Sequence, residues 1–363
     1  MSNRKHIAYY ISAHGYGHGV RSSDIIRALV RLNPDVRFTL ITMLPESFLR
    51  NRLPAGDWTF RAASFDVGMV QVDSIRVDVP ATLAALTALY AQRTALVKQE
   101  VEFLRREKVD LVVADIPAIP LEAAHNARIP GIAVGNFAWD WIYAEFVERD
   151  PAWNDLINQI AEGYGCAQLL LRLPFSEPMA AFPRKEDIPV VAVPGLARRA
   201  ELAAMTGAMT EKQWVLLSFT TLDLDEDALD RIEQLRAYEF FVVRPLEWRR
   251  KNIYAIDRER IPFSDVLASA DVVISKPGFG LISECVVNHK PLIYADRSDF
   301  REYAVLVDSI RRHLRNVHLP TGDLYRGELG GALTEIASQP EAPQPMSAGG
   351  DAIAARRILS FVG

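Results

Sequence analysis

His14 and His18 stand in a glycine-rich stretch, AHGYGHG, at residues 13–19. The stretch follows an apolar run at residues 6–12 that predicts a buried strand, and a helix is predicted after it at residues 20–32. Open α/β sheets bind ligands in the loops at the carboxyl ends of their strands, and an imidazole there can accept a proton near neutral pH. Each histidine is therefore a candidate general base, with packing or hydrogen bonding within the loop as an equal alternative.

The glycines of this loop, Gly15, Gly17 and Gly19, superficially suggest a dinucleotide-binding fingerprint. Their spacing is GxGxG rather than GxGxxG, and no acidic residue ends the next predicted strand at residues 37–42. The sequence therefore argues against NAD binding.

A carboxylate and an aromatic cluster end two further predicted strands. Asp115 follows the apolar run at residues 110–114, so in a parallel sheet it faces the same crevice as His18 and can orient the imidazole, with helix capping as the alternative. The cluster NFAWDWIY at residues 136–143 offers flat rings with polar tips, which suit stacking on sugars, and a packing cluster is the alternative. Its candidate residues are Asn136, Trp139 and Asp140.

A second stretch with chemistry is ADVVISKPGFGLISECVVNHKPLIYADRSDFREY, residues 270–303. It predicts a strand at 272–274, a glycine turn at 276–280, a short helix at 281–288 and another strand at 291–295. Free N–H groups and the helix dipole at such a helix N-terminus favour a bound anion. We therefore predict an anion site here, with an unoccupied tight turn as the alternative.

Side chains define the predicted anion site further. Gly278 and Gly280 form the turn, and Lys276 and Ser283 can donate hydrogen bonds to a phosphate. Glu284 has the wrong charge for a phosphate but can accept hydrogen bonds from a ribose diol. The ligand that fits this set is a diphosphate next to a ribose.

Composition limits the class of protein. A chain of 363 residues with 49% hydrophobic and 24% charged residues is long enough for two soluble domains. The net charge of −5, with no basic block, argues against nucleic acid as a partner. Cys166 and Cys285 match no metal or redox spacing and suit a reducing cytoplasm. We expect no signal peptide and no transmembrane segment.

The remaining pattern completes the predicted elements. We expect a strand at residues 60–65 and one helix from about 79 to 108, with Glu100 and Glu102 on its solvated face. A second series of strands and helices begins at residues 214–218.

Two motifs resemble those of GT-B glycosyltransferases. The GxxSE motif at Glu284, followed by a proline-led strand and a polar turn, is similar to the nucleotide-sugar site of the peptidoglycan N-acetylglucosaminyltransferase and the UDP-glycosyltransferases. The motif GHxxR, which contains His18, resembles a loop of that transferase and of nucleotide-sugar hydrolases, in which the histidine is implicated in activating water. The resemblance leaves Arg21 as either a loop anchor or a contact for substrate anions.

The resemblance also implies roles in the second half of the chain. Loops at Ser218 and Thr220 would touch the diphosphate, and the loop at Phe263 would hold the nucleobase through backbone groups. Arg301 and Glu302 would face the donor sugar. The peptidoglycan enzyme has a glutamine pair at these last two positions, so the identity of its sugar does not carry over.

A longer series of motifs resembles the N-terminal, glycosyltransferase-like region of plant L-arabinokinases and its stand-alone bacterial relatives. The motifs occur in order over nearly the whole chain: AYYISAHGYGHGVRSSDIIRAL, SFDVGMVQVDSIRVD, VADIPAI, GNFAWDWIYAEF, LRLPFSEPMAAF and SKPGFGLISE. The glycine-rich ATP motif of the sugar-kinase half is not among them, so the resemblance does not imply kinase activity.

Together these observations predict an α/β protein with the GT-B fold, in which two Rossmann-like, doubly wound domains face each other across a cleft. We expect an acceptor and catalytic-base domain at residues 1–196, a nucleotide-sugar domain at 197–345, and a C-terminal helix at 346–363 that packs on the first domain. The expected function is metal-independent, inverting transfer of a sugar from a UDP-sugar to a small-molecule or glycan acceptor, without a cofactor. The alternatives are a nucleotide-sugar hydrolase and a non-catalytic nucleotide-sugar sensor.

Overall fold

The computed structural model describes most of the chain. The described residues are 4–73, 76–297, 300–344 and 346–362. Among them, no helix combines the length and the hydropathy that crossing a bilayer would require.

Contacts divide the chain into two units. The first unit consists of Met1–Val70, Asp78–Ala192 and Ser347–Gly363. The second consists of Gln71–Val77 and Val193–Met346. Each unit contains one sheet with helices in the connections between its strands.

The first unit is an α/β unit. Its strands are β1 (His6–Ile11), β2 (Arg37–Ile41), β3 (Trp58–Arg61), β4 (Leu111–Asp115), β5 (Gly131–Gly135), β6 (Leu169–Arg172) and β7 (Lys185–Asp187). Its helices before the second unit are α1 (Tyr16–Leu32), α2 (Glu46–Arg52), α3 (Val79–Tyr90), α4 (Arg93–Arg106), α5 (Ile119–Ala127), α6 (Trp139–Tyr143) and α7 (Trp153–Gly165), with a 3₁₀ turn at Ala144–Phe146.

The second unit repeats this architecture. Its strands are β8 (Gln213–Ser218), β9 (Tyr238–Val243), β10 (Ile253–Ile256), β11 (Val272–Ser275), β12 (Leu292–Ala295) and β13 (Asn316–Leu319). Its helices are α8 (Arg199–Thr206), α9 (Glu226–Glu233), α10 (Phe263–Ser269), α11 (Phe279–Val287), α12 (Glu302–His313), α13 (Thr321–Tyr325) and α14 (Gly330–Ser338).

The last helix, α15 (Gly350–Leu359), belongs to the first unit and packs against α1. Arg31 of α1 reaches the Asp351 carboxylate at 3.2 Å. Arg357 donates to Glu186 of β7 at 2.9 Å, so the helix contacts two separate elements of this unit.

Both sheets are parallel and change winding direction at their centre. The strand order is β3-β2-β1-β4-β5-β6-β7 in the first unit and β10-β9-β8-β11-β12-β13 in the second. Strands β1, β4 and β5 are buried along their whole length, which explains their continuous apolar runs. The winding reverses between β1 and β4 and between β8 and β11, and the carboxyl ends of such strands are where open α/β sheets bind ligands.

Helix α1 begins at Tyr16, four residues before the predicted start. Gly17 and His18 are therefore helical, and the prediction of a loop at these two positions is wrong. Arg21 lies in the helix, as predicted. A helix puts residues three and four positions apart on one face, so His18, Arg21 and Ser22 all reach the same carboxylate. These contacts stabilise a first turn that the glycines alone disfavour.

Three other predicted elements differ from the structure. The helix predicted at 79–108 is two helices, α3 and α4, and the break carries no glycine or proline that would mark it. Strand β3 ends at Arg61, so most of the strand predicted at 60–65 is irregular. Helix α11 begins at Phe279, which places Gly280 in the helix rather than in the turn.

Glu100 is the fourth difference, because it is buried rather than solvated. Its carboxylate accepts hydrogen bonds from Arg61 at 2.5 and 2.8 Å and from the Tyr10 hydroxyl at 2.7 Å. Charged partners on distant strands compensate its burial, and a helical pattern gives no sign of them.

Candidate functional site

The first unit brings the predicted histidine and carboxylate together. His18 Nδ1 lies 2.8 Å from Asp115 Oδ1, and the two side chains are 7% and 0% exposed. A carboxylate can only accept, so we assign the proton to Nδ1, which leaves Nε2 unprotonated. Among the described residues, none forms a hydrogen bond with Nε2. The geometry therefore presents an imidazole lone pair that is held in orientation by a buried carboxylate.

Arg21 links the carboxyl ends of two neighbouring strands, β4 and β5. Its Nε donates to Asp115 Oδ2 at 2.8 Å, its Nη2 donates to Oδ1 at 2.5 Å, and its Nη1 donates to Asn136 Oδ1 at 2.8 Å. Its Nη2 also lies 3.0 Å from His18 Nδ1, because both groups contact the same carboxylate oxygen. Arg21 is 3% exposed, which favours the anchoring role over direct contact with substrate anions.

The charge of Asp115 is fixed by these neighbours. Burial alone would raise the pKa of its carboxyl, but the charge of Arg21, the charge that His18 carries whenever it is protonated, and the hydrogen bonds from both side chains outweigh burial and hold the pKa below its usual range. The Ser22 hydroxyl adds a hydrogen bond to Oδ2 at 2.8 Å. Asp115 is therefore ionised at neutral pH and can stabilise an imidazolium that forms on His18.

His14 lies apart from this network. Its Nδ1 accepts a hydrogen bond from the backbone N–H of Met69 at 3.1 Å, and its ring packs edge-on against Trp139 with centroids 5.1 Å apart. A Cβ at Gly68, whose φ is +69°, would lie 2.4 Å from that Nδ1, so only glycine permits this approach. The contacts support a structural role for His14, and Gly15, its neighbour, is the N-cap of α1.

The aromatic cluster after β5 is mostly packed inside the unit. Trp139 is 2% exposed and stacks on Tyr143, which in turn stacks on Trp153. This burial favours the packing alternative over stacking on a sugar ring. Asp140 lies beside Trp139 in the short helix α6.

The second unit assembles the predicted anion site around the N-terminus of α11. Gly278 is its N-cap, and the described residues provide no side-chain hydrogen bond that caps the helix, whose N-terminal N–H groups have no acceptor within the helix itself. Open space surrounds the position where a Gly278 Cβ would stand. The Ser283 hydroxyl is buried without a hydrogen-bond partner among the described residues. These are donors that an anion would satisfy.

Lys276 adds a charge to the same turn. Burial first and then the charge of Arg297 lower the pKa of Lys276 to about 7, while Asp73 and Glu302 oppose the shift. Glu284, in α11, is 6% exposed. The site therefore combines a helix N-terminus, an unpartnered hydroxyl and an ammonium group.

The other candidates of this unit lie at the ends of its strands or at the starts of its helices. Ser218 ends β8 and its carbonyl accepts from the Ser275 hydroxyl at 2.6 Å. Thr220 is exposed in the loop after β8, and Phe263 begins α10. Arg301 is the N-cap of α12 and Glu302 its first residue.

Sequence reasoning missed Asp66 of the first unit. Its carboxylate accepts from Trp139 Nε1 at 3.0 Å, and burial raises its pKa against the effect of a hydrogen bond with Ser12. A proton on His18 would also lower that pKa through its charge, so Asp66 shares the environment of the candidate base. Asp66 follows no buried strand, and this is why the sequence did not single it out.

Metal ligation has no candidate among the residues that the structure describes. No three or more His, Cys, Asp or Glu side chains in that part of the chain are grouped as a metal ion would need.

The chain belongs to glycosyl transferase family 1, whose family model matches residues 5–296. It is similar to the L-arabinokinase of Arabidopsis thaliana, with 28% identity over 351 residues that cover 90% of this chain. The chain spans only 32% of the length of that kinase.

Solved glycosyltransferases share the fold over nearly the entire chain. The glycosyltransferase SnogD from Streptomyces nogalater has a TM-score of 0.59 at 14% identity, covering 99% of this chain and 100% of its own. UGT89C1 of Arabidopsis thaliana, solved in complex with UDP, has a TM-score of 0.61 at 14% identity with the same coverage. These likenesses confirm the predicted GT-B fold with two parallel α/β units.

Proposed function

We propose that the protein transfers a sugar from a UDP-sugar to an acceptor hydroxyl, with His18 as the general base. The observation that carries this proposal is the His18–Asp115 pair, in which a buried carboxylate orients the imidazole through its Nδ1. General-base catalysis by a positioned histidine is what deprotonation of a hydroxyl at neutral pH requires. Membership of glycosyl transferase family 1 supports the reaction class.

The proposed step is a single displacement. The acceptor oxygen forms a bond to the anomeric carbon while its proton moves to His18 Nε2, and Asp115 stabilises the resulting imidazolium. The bond between the anomeric carbon and the β-phosphate oxygen breaks, and its electron pair stays on the departing nucleoside diphosphate. In-line attack from the face opposite the leaving group inverts the anomeric configuration.

The second unit would hold the donor in this proposal. The first-turn N–H groups of α11, the Ser283 hydroxyl and Lys276 would bind the diphosphate, and Glu284 would accept from the ribose diol. Structures of UGT89C1 with UDP and of an anthocyanidin 3-O-glucosyltransferase with UDP support uridine as the base. Neither a metal ion nor a cofactor is needed in this scheme, because the helix N-terminus and Lys276 would compensate the diphosphate charge.

Replacing Glu284 by alanine is expected to weaken UDP binding by about 1.5–3 kcal/mol, the range of a hydrogen bond to a charged group. Isothermal titration calorimetry would measure it. Glu335→Ala is the matched control, because Glu335 is an exposed carboxylate on α14 of the same unit and should leave UDP affinity unchanged. If folded Glu284→Ala binds UDP as tightly as the wild type, Glu284 does not belong to the donor site.

The reaction class is tested with a panel of nucleotide sugars. Release of nucleoside diphosphate that depends on an added acceptor supports the transferase. Release at the same rate without any acceptor would indicate a hydrolase, since the His18–Asp115 pair can also activate water. Binding without release would indicate a sensor.

A further inference from the structure

A buried guanidinium lies just after β12, and the donor site proposed above does not use it. Arg297 is 9% exposed, and its Nε is buried without a hydrogen-bond acceptor among the described residues. Its guanidinium carbon lies 3.3 Å from the centroid of the Phe300 ring. Burial lowers the pKa of Arg297 to about 10, and the charge of Glu302 only partly opposes this effect. A buried cation whose Nε lacks an acceptor destabilises the folded protein. Its presence at this position therefore points to an anionic ligand.

The position of Arg297 places it beside the anion site. Strands β11 and β12 are hydrogen-bonded neighbours, with Ser275 paired to Tyr294. Lys276 follows the first strand directly and Arg297 follows the second by two residues, so both cations lie at the same edge of the sheet. The charge of Arg297 is the second cause, after burial, of the lowered pKa of Lys276. The two cations therefore repel one another in the ligand-free protein. A bound dianion would attract both of them and outweigh this repulsion.

We propose that Arg297 is a further catalytic residue, which contacts the donor diphosphate together with Lys276 and neutralises the charge that develops on it as the sugar leaves. This inference rests on the proposed function. The diphosphate of a nucleotide sugar carries two negative charges, which the two cations match. When the bond from the anomeric carbon to the β-phosphate oxygen breaks, the electron pair stays on that oxygen and adds a third negative charge. A preorganised cation at this place stabilises the departing group more than the intact donor.

The first test compares UDP with uridine as calorimetric probes. Arg297→Gln is expected to weaken UDP binding by about 10–100-fold, the effect of losing a charge-assisted hydrogen bond, and to leave uridine binding unchanged. Arg297→Lys is expected to recover part of the loss. Arg312→Gln is the charge-matched control, because Arg312 is exposed on α12 and pairs with Asp308.

Two further readouts separate ligand binding from a structural role. Arg297→Met is expected to keep or raise the melting temperature of the ligand-free protein, because it removes a buried unpaired charge, and to reduce the shift that UDP produces. In the wild type, UDP affinity is expected to fall as pH rises above about 7, where Lys276 loses its proton. Arg297→Gln is expected to move that fall to higher pH, because it removes the charge that opposes protonation of Lys276.

The outcomes distinguish this inference from the proposed function. If the wild type binds UDP and folded Arg297→Gln binds it as tightly, the inference is wrong and the proposed function stands. If the wild type binds no UDP, the proposal that the donor is a UDP-sugar is wrong, and the inference about Arg297 is wrong with it. If Arg297→Gln weakens UDP-glucuronate much more than UDP-glucose, Arg297 serves the sugar carboxylate rather than the diphosphate, which also overturns the inference. Equal losses for both donors support it.

Discussion

Replacing His18 by alanine is expected to lower the rate of sugar transfer by about 10²–10⁴, the usual contribution of a positioned general base. The reason is that Nε2 is the proton acceptor of the proposed step, and alanine leaves only water to take the proton. UDP affinity should stay within about twofold, because the donor groups all lie in the second unit. Steady-state kinetics with the preferred donor and acceptor, together with calorimetry, would measure both effects.

His14→Ala is the matched control for this prediction. His14 lies two residues before the helix that carries His18, but its Nδ1 is bonded to the Met69 backbone rather than to Asp115. We expect its replacement to cost little turnover compared with His18→Ala. If His14→Ala abolishes transfer and His18→Ala does not, the wrong histidine has been chosen. If neither changes turnover, the loop has no catalytic base.

Replacing Asp115 by alanine is expected to destabilise the first unit by about 3–5 kcal/mol, the cost of breaking a buried ion pair from one side. The loss is large because Arg21, 3% exposed, would keep its charge without its carboxylate. Chemical denaturation would measure the change in the free energy of unfolding. Asp187→Ala is the control, because Asp187 pairs with Arg172 in the same unit but is largely exposed, and an exposed pair contributes about 0–1 kcal/mol. If Asp115→Ala lowers the free energy of unfolding no more than Asp187→Ala does, the buried network does not stabilise the first unit as proposed.

The lowered pKa of Asp115 makes the stability of the folded protein depend on pH. Its pKa is lower in the folded protein than in the unfolded chain, where it is about 3.9. The folded state therefore binds fewer protons, and the stability that Asp115 contributes is fully present above that unfolded value. It is lost as pH falls through the folded pKa. The difference in stability between wild type and Asp115→Ala should therefore shrink below about pH 4, which denaturation at several pH values would show.

The sequence predicted the elements whose signals are local. Strands such as β4 are continuous apolar runs, and the turn before α11 is marked by glycines, so both were recognised within one or two residues of their ends. The contact between His18 and Asp115 is one of the two alternatives that the sequence left open for this carboxylate, the other being helix capping. Two strands of a parallel sheet bring their carboxyl ends to one edge, which is why the contact could be expected.

The features that the sequence did not show depend on distant partners. Helix α1 extends through Gly17 and Gly19 because its face contacts Asp115, a residue almost a hundred positions away. Glu100 is buried because Arg61 and Tyr10 compensate it, and no helical periodicity reveals that. Arg297 follows a recognisable strand, but the burial of its Nε without an acceptor among the described residues is visible only once the sheet is assembled.

The most direct test of the account is one kinetic comparison of wild type, His18→Ala and Glu284→Ala with the preferred nucleotide sugar at varied concentration. We assign the chemistry to the first unit and donor binding to the second. His18→Ala is expected to lower kcat by about 10²–10⁴ with KM for the donor nearly unchanged. Glu284→Ala is expected to raise KM by about tenfold or more with a much smaller change in kcat. The opposite assignment of the two effects, or full activity in both variants, would contradict it.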